Sequence, residues 1–448
     1  MIGITAYGAY IPVRRLGQGT RGWTQVREKT VANWDEDSLT MAVAAAKNCL
    51  GNTERRRIDA LYCASASAPY KEKMMSTLAA WAIDLEPETT TLDIANSLRC
   101  GTSAVRQAID SVKAGTYSHI LVTASDLRAG SPRSGLDNGL GEAAAALVIG
   151  KENPLAALIA SSSTSNEILD VWRADRSRYV QSWEDRFVYE EGYFSTVRQA
   201  VTQFLTKHNL DLETVSKVAL YAPDERRHRE LTASLGIKPA QIQDPLFNQI
   251  GDTGCSLSLV LLLHALEKAE EGDLILSIGY GNGTDISLWQ ATSNISDFRP
   301  KYTIDQLLST KYYVPLIEDY LAFREFAVKD PDSGGSASAS LIWREREAIY
   351  RLRGVRCRHC GTAQFPPQRV CTLCQSKDNF DSIRFSDKMG TVFTYTLKNG
   401  FDIPSFARPM VDTMVDFEGG GRAIFGMTDA DVKDIRIGMK VEMNFRTL

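Results

Sequence analysis

A chain of 448 residues is too long for one ordinary hydrophobic core and predicts two or three domains. With 44% hydrophobic and 24% charged residues it has the composition of a globular protein, which excludes a disordered or fibrous one. A formal net charge of -4 argues against a chain whose main task is to coat nucleic acid or an anionic membrane.

The opening "MIGITAYGAYIPVRR" alternates like a strand and has no basic leader region, so a cytoplasmic protein is expected. Apolar runs such as "IDALYCASAS", "HILVTASD", "AAALVIG", "KVALYAP" and "DLILSIGYG" then alternate with helical stretches such as "SLTMAVAAAKNCL" and "SLSLVLLLHALEKAEEG". Near-continuous apolar strands separated by helices predict buried sheets between helical layers, an α/β body reaching to about residue 330. Its longest apolar run, "LSLVLLLHAL", is about half of the roughly 20 residues that a bilayer span requires, so no membrane segment is expected. Four of the eight cysteines (Cys49, Cys63, Cys100, Cys255) are scattered through apolar or small-residue segments, which predicts buried, reduced thiols and no disulfide framework.

One stretch of that body, "TLDIANSLRCGTSAVRQAIDSVKAG" at 91–115, reads as a strand, a turn of small residues and a helix. Enzymes place cysteine nucleophiles at such junctions, because the helix dipole and free N–H groups favour a thiolate. Cys100 is therefore the candidate nucleophile. Among the histidines, His228 lies in the charged run "DERRHRE" and is expected to be solvated.

Around 331–342 the chain is rich in Gly, Ser, Asp and Ala and predicts a connection. Residues 343–380 hold two Cys-x-x-Cys pairs, Cys357 with Cys360 and Cys371 with Cys374. Doubled pairs at this spacing predict a zinc ribbon; four thiolates leave no open coordination position, so the zinc is structural. The segment 381–448 carries alternating strands and glycine turns, enough for a small β-barrel. Between Trp343 and Cys360 six arginines face only two glutamates. A solvated helix face is the plainer reading of that run; a cationic patch for a phosphate-bearing ligand is the sharper one.

Taken in order, "AYGAYIP", "REKTVANWDEDSLTMAVAAAKNCL", "ASASAPY", "DVWRAD", "NQIGDTG" and "GDLILSIGYGNGTD" resemble the archaeal and bacterial 3-hydroxy-3-methylglutaryl-CoA synthase family of the thiolase superfamily. The remainder, with "CRHCGTAQFPPQRVCTLC", "GTVFTYT", "ARPMVDTMVDFEGGGRAIFGM" and "IRIGMKVEMNF", resembles the zinc-ribbon plus OB-fold proteins of acyl-CoA metabolism. The resemblance implies an α/β thiolase fold of two similar halves in five layers, followed by the ribbon and an OB-fold domain. It also implies a CoA thioester as substrate or ligand, a thiolase-fold homodimer interface, and a thiolase subunit as partner in a hetero-oligomer.

In such enzymes a cysteine takes the acyl group, a glutamate enolises it, and a histidine serves the second substrate. Setting "GTSAV" against the family's Cys-Lys-Ala-Gly-Thr-Ala-Ala motif puts Leu98 at the nucleophile, with Cys100 two residues on. The glutamate position is Ala66, the histidine position Tyr221, and the asparagine of the Gly-Asn-Thr turn is Asp252, whose plain role is a turn carboxylate bonding its own backbone. On a helix, two residues turn Cys100 about 200° from the pocket; in an extended segment the shift preserves the face. Two readings stay open: a degenerate site whose chemistry is done by a partner thiolase, which is preferred, and an active acyltransferase with Cys100 relocated as nucleophile. Nucleic-acid binding through ribbon and barrel is a third, disfavoured by the acidic balance.

Overall fold

The computed structural model describes residues 1–51, 55–174, 176–326, 338–400 and 407–447. They form two bodies, Met1–Val328 and Lys329–Arg446. Of the expected connection at 331–342, residues 331–337 lie outside the described residues. A helix begins at Ala339 within that span.

The first body is built on a nine-stranded sheet: β1 (Gly3–Tyr10), β2 (Ala60–Ser65), β3 (Thr90–Ala95), β4 (His119–Asp126), β5 (Ala143–Gly150), β6 (Ala156–Ser165), β7 (Lys217–Leu220), β8 (Leu274–Tyr280) and β9 (Gly283–Ala291). Their order, β7-β8-β9-β6-β1-β5-β4-β2-β3, contains one pattern twice. In the N-terminal half β1 lies antiparallel to β5, β5 antiparallel to β4, and β4, β2 and β3 run parallel. In the C-terminal half β6 lies antiparallel to β9, β9 antiparallel to β8, and β8 parallel to β7. The place of a fifth strand is taken by a single parallel bridge from Val218 to Ile242. The halves meet where Gly3 and Ile4 pair with Ala157 and Ala156.

Helices complete five layers. Helix α1 (Ser38–Leu50) covers the outer face of the N-terminal sheet and starts with a capping box in which the Asp37 carboxylate accepts the Thr40 N–H at 2.8 Å. Helix α2 (Cys100–Ala114) buries the stripe Cys100, Ala104, Ala108 and Val112 against that sheet's inner face and stops at Gly115, whose φ of 77° suits a left-handed cap. Helix α3 (Ser195–His208) packs on the far side of the C-terminal sheet. Helix α4 (Leu257–Leu266) is apolar nearly all round, and every residue of it is buried between the two halves of the sheet beside α2. A helix without a polar face is stable only when enclosed in this way. No described helix is long and apolar enough to cross a membrane.

In the second body the exposed helix α5 (Ala339–Ile349) precedes strand β10 (Arg353–Cys357), which lies between β11 (Ala363–Gln364) and β12 (Phe380–Arg384). A four-stranded antiparallel sheet follows: β13 (Gly390–Lys398), β14 (Met410–Phe417), β15 (Arg422–Gly426) and β16 (Lys440–Val441), in the order β15-β14-β13-β16. Ala363, Phe385, Val415, Phe417 and Met443 form one buried core, with Phe365 and Phe425 packed on it, so ribbon and barrel are fixed together by aromatic contact.

Candidate active site and metal centre

The parallel and antiparallel strands bring several carboxyl ends together, which is where open α/β sheets bind ligands. Ala66 follows the end of β2, Leu98 follows β3, Asp126 ends β4, Tyr221 follows β7 and Gly281 follows β8. Three of the four positions set against the family's catalytic motifs, Leu98, Ala66 and Tyr221, thus follow strand ends.

Asp126 organises the floor. Its Oδ1 accepts the Ala66 N–H at 2.7 Å, Ser67 Oγ at 2.8 Å and Ser65 Oγ at 3.1 Å; its Oδ2 accepts the Cys255 N–H at 2.8 Å. This ties the loop at the glutamate position to the start of α4. Gly254 sits between them at φ 67°, and a Cβ there would stand 2.3 Å from Asp126 Oδ2 and 2.8 Å from Arg128 Nε. No other residue fits that space.

Asp252 accepts the Gly254 N–H at 2.9 Å on Oδ1, the turn role expected of it. Its Oδ2 does something else: it takes Arg128 Nη2 at 2.7 Å and the Tyr221 hydroxyl at 3.3 Å, and all three residues are buried. Asp252, set against the asparagine of the family's turn, is thus a carboxylate locked to a guanidinium. At the position of the histidine stands a tyrosine whose hydroxyl donates to that carboxylate; burial and Asp252 hold its proton well above the usual tyrosine range. The Arg128 Nε, also buried, has no hydrogen-bond partner among the described residues.

Three buried tyrosine rings pack against one another here. Tyr280 stacks on Tyr221 with centroids 6.4 Å apart and meets Tyr193 edge-on at 5.2 Å. The Tyr193 hydroxyl donates to the Tyr221 carbonyl at 2.7 Å, and the Tyr280 hydroxyl to Asp170 at 2.8 Å. Tyr193 comes from a π-helical turn, Val188–Phe194, which runs into α3. Such turns are rare inside helices and recur at functional sites.

Cys100 is the first residue of α2 and is 1% exposed in the main core. Gly101 lets α2 approach α4, since a Cβ there would lie 2.4 Å from the Cys255 carbonyl. The Cys255 thiol donates to the Ala64 carbonyl at 3.6 Å, and burial, with Cys100 and Asp126 beside it, pushes that thiol well above its ordinary range. No residue at the glutamate position can serve as base, because Ala66 offers only backbone; its carbonyl accepts Arg173 Nη2 at 3.3 Å.

His228 departs from the solvated state expected of it. Helix Glu225–Ser234 turns it inward, where it is 4% exposed against Phe247, and burial lowers its pKa to about 4. A charged run conceals this because only one face of a helix needs to be wet. A cavity of about 760 Å³ opens at the N-terminal ends of β7 and β8, beside Lys217, Lys268 and Asp305, with His264 held between Gln243 and Asp305. It lies at the opposite end of the strands from the positions set against the family's catalytic motifs, so its size does not make it the catalytic pocket.

In the ribbon, the Sγ atoms of Cys357, Cys360, Cys371 and Cys374 all lie within 4.8 Å of one another, with 3.6 Å between Cys357 and Cys374 and 3.5 Å between Cys360 and Cys371. A tetrahedron with zinc–sulfur bonds of about 2.3 Å has edges of about 3.8 Å, so the four donors fit zinc. All four predicted ligands are brought together. Asp126, Arg128, Tyr193 and Tyr280 were not singled out from the sequence; the one signal for the first two was a charged pair directly after the apolar run "HILVTAS".

Residues 344–381 match the ChsH2 rubredoxin-like zinc ribbon domain and residues 384–446 the ChsH2 C-terminal OB-fold domain. The chain is similar to the hydroxymethylglutaryl-CoA synthase of Methanocaldococcus jannaschii, at 30% identity over 351 residues, covering 73% of this chain and 99% of that one. The Methanopyrus kandleri hydroxymethylglutaryl-CoA synthase is 29% identical over 342 residues, 72% of this chain and 94% of its own length. Among solved structures, an HMG-CoA synthase complexed with CoA superimposes with a TM-score of 0.63 at 17% identity, covering 71% of this chain and 89% of that one. The 3-oxoacyl-[acyl-carrier-protein] synthase III of Aquifex aeolicus gives 0.58 at 19% identity, covering 65% and 100%. These likenesses establish the thiolase fold, with ribbon and OB-fold domain attached.

Proposed function

The chain belongs to the hydroxymethylglutaryl-CoA synthase family, and from that membership we propose that it is the synthase-like subunit of an acyl-CoA acyltransferase complex, its own site degenerate and the chemistry carried by a partner thiolase. The complex makes or cleaves the carbon–carbon bond of a β-keto thioester. The observation that carries this reading is the buried Arg128–Asp252–Tyr221 cluster at the positions where the family places its oxyanion donor and histidine. Acyl transfer needs a thiolate, donors aimed at a developing oxyanion, and a base within hydrogen-bond reach. Here the cation is spent on an aspartate, the phenol is not a base near neutral pH, and Leu98 has no thiol.

Other features support a role in assembly. The strand β3 ends the sheet with a free edge among the described residues, and Leu92 on it is 37% exposed, which suits pairing with a second copy. CoA is bound in one of the structural neighbours, which supports a CoA thioester as ligand. Ribbon and barrel together resemble proteins that attend thiolases, so this chain supplies two of the parts such a complex needs.

The test is β-keto thioester cleavage measured with the purified, zinc-loaded chain, with a candidate thiolase, and with both. Turnover that needs the thiolase and rises when this chain is added supports the reading. Turnover by this chain alone overturns it.

A further inference from the structure

The cavity of about 760 Å³ at the N-terminal ends of β7 and β8 has the volume of a small-molecule site and no part in the function above. Buried polar groups form part of its wall. His264 is 3% exposed and Gln243 5%; the Gln243 amide meets His264 Nδ1 at 3.0 Å, and His264 Nε2 meets Asp305 at 2.8 Å. Of the lysines that line the cavity, Lys268 is neutralised by Asp305 at 3.2 Å and Lys311 by Glu28 at 2.8 Å.

Three other charges on the same wall have no opposite charge to meet. Lys217 makes no ion pair among the described residues, and its Nζ donates to the Ala240 carbonyl at 2.7 Å. Asp244 and Asp273 have no cationic partner among the described residues; each accepts one backbone N–H at 2.9 Å, from Leu246 and Glu270 respectively. The topology brings the three to one place. Lys217 opens β7 and pairs in register with Ile275 of β8, so Asp273, two residues before Ile275, falls on the same face. Gln243, next to Asp244, donates its N–H to the Val218 carbonyl at 3.1 Å, which sets the third charge beside the same strand end. Each charge is held by a backbone group and left without its Coulomb partner. An ammonium and two carboxylates that face one cavity without pairing are the complement of a ligand that carries both signs.

We propose that this cavity binds a free α-amino acid with an uncharged side chain, its carboxylate on Lys217 and its ammonium on Asp273 and Asp244. An α-ammonium has three donors, as a lysine does, and so can serve two carboxylates at once. A dicarboxylate would face both aspartates with like charge, and a diamine would do the same to Lys217; a zwitterion satisfies all three. Ile242, Leu246 and Ile275, which also line the cavity, offer an apolar surface to the side chain. The site stands apart from the acyl-CoA reading, and turnover with or without a thiolase does not bear on it.

The test takes the full zinc-loaded chain and the twenty common amino acids as probes, ranked by the rise in melting temperature, with titration calorimetry on the strongest. The expected result is a strongest probe with an uncharged side chain, whose methyl ester and N-acetyl derivative each bind at least about tenfold more weakly. Lys217→Met should remove the discrimination against the ester, and Asp273→Asn should reduce that against the N-acetyl derivative. The melting temperature of each unliganded variant confirms folding, since neither side chain belongs to the buried core. No shift with any of the twenty, a strongest probe with a charged side chain, derivatives that bind as well as the parent, or discrimination that survives both variants overturns the proposal.

Discussion

On the reading proposed above, the synthase-like body and the ribbon hold two inherited sites with opposite fates. The ribbon keeps its four thiol ligands at 3.5 to 3.6 Å across its pairs; the acyl-transfer site keeps its strand ends and has different side chains on them. The difference follows from what each site does for the fold. Four cysteines without metal would leave a small domain short of stabilisation, because binding energy there is folding energy. A catalytic cysteine, glutamate and histidine stabilise little, so on that reading Leu98, Ala66 and Tyr221 can stand in their places without loss to the fold. Arg128, Asp252 and the tyrosines then fill the space as core.

That comparison can be broken in graded steps. The largest effect belongs to the metal: Cys371→Ser, or chelation, should unfold the second body, since structural zinc supplies on the order of 10 kcal/mol in comparable domains. Limited proteolysis should then cut within 344–381 while fragments of Met1–Val328 persist; equal resistance with and without zinc would remove the structural role. Next comes the charge lock. Arg128→Ala strands a buried carboxylate and should cost about 3–5 kcal/mol in urea unfolding, whereas Arg128→Leu with Asp252→Leu should cost far less. If the single and double variants are equally destabilised, the pair is not the lock described.

Gly254→Ala places a methyl group against Asp126 and Arg128 at a positive φ, and a loss of about 2–3 kcal/mol is expected from strain and overpacking. Tolerance of alanine would mean the floor of the site is looser than its hydrogen bonds suggest. The smallest effect is a slope. The pKa of His228 falls from an ordinary value of 6.5 to about 4 in the folded protein. The unfolded chain therefore binds the extra proton between these values, so the contribution is present above pH 6.5 and is lost as pH falls toward 4. At most about 3 kcal/mol is involved. Stability of the parent should drop relative to His228→Leu across that window; parallel curves would mean that His228 is solvated after all.

How much of this was legible in the sequence depended on the distance over which each feature is written. The ribbon ligands fall within 18 positions, and spacing alone identified them. The apolar runs predicted the sheet and the helix at α4, but not the enclosure of that helix, which only the structure shows. The repeated strand order was not readable from periodicity, and neither was the collapse of C-terminal pairing to the Val218–Ile242 bridge. Leu98, Ala66, Tyr221 and Asp252 were found only by setting motifs against a family. Their replacements' partners, Arg128 and Tyr280, lie 124 and 59 positions from Asp252 and Tyr221 respectively and leave no local pattern. His228 went astray for the converse reason: its neighbours in sequence are charged and its neighbours in space are not.

The central claim, that the inherited site no longer accepts an acyl group, is tested most directly by intact-protein mass spectrometry after incubation with a panel of acyl-CoAs, beside Cys100→Ser. No adduct is predicted on the folded, zinc-loaded chain, because Cys100 is 1% exposed in the core and Ala66 stands at the position of the family's glutamate. An acyl adduct that vanishes in Cys100→Ser would contradict it and make Cys100 a relocated nucleophile.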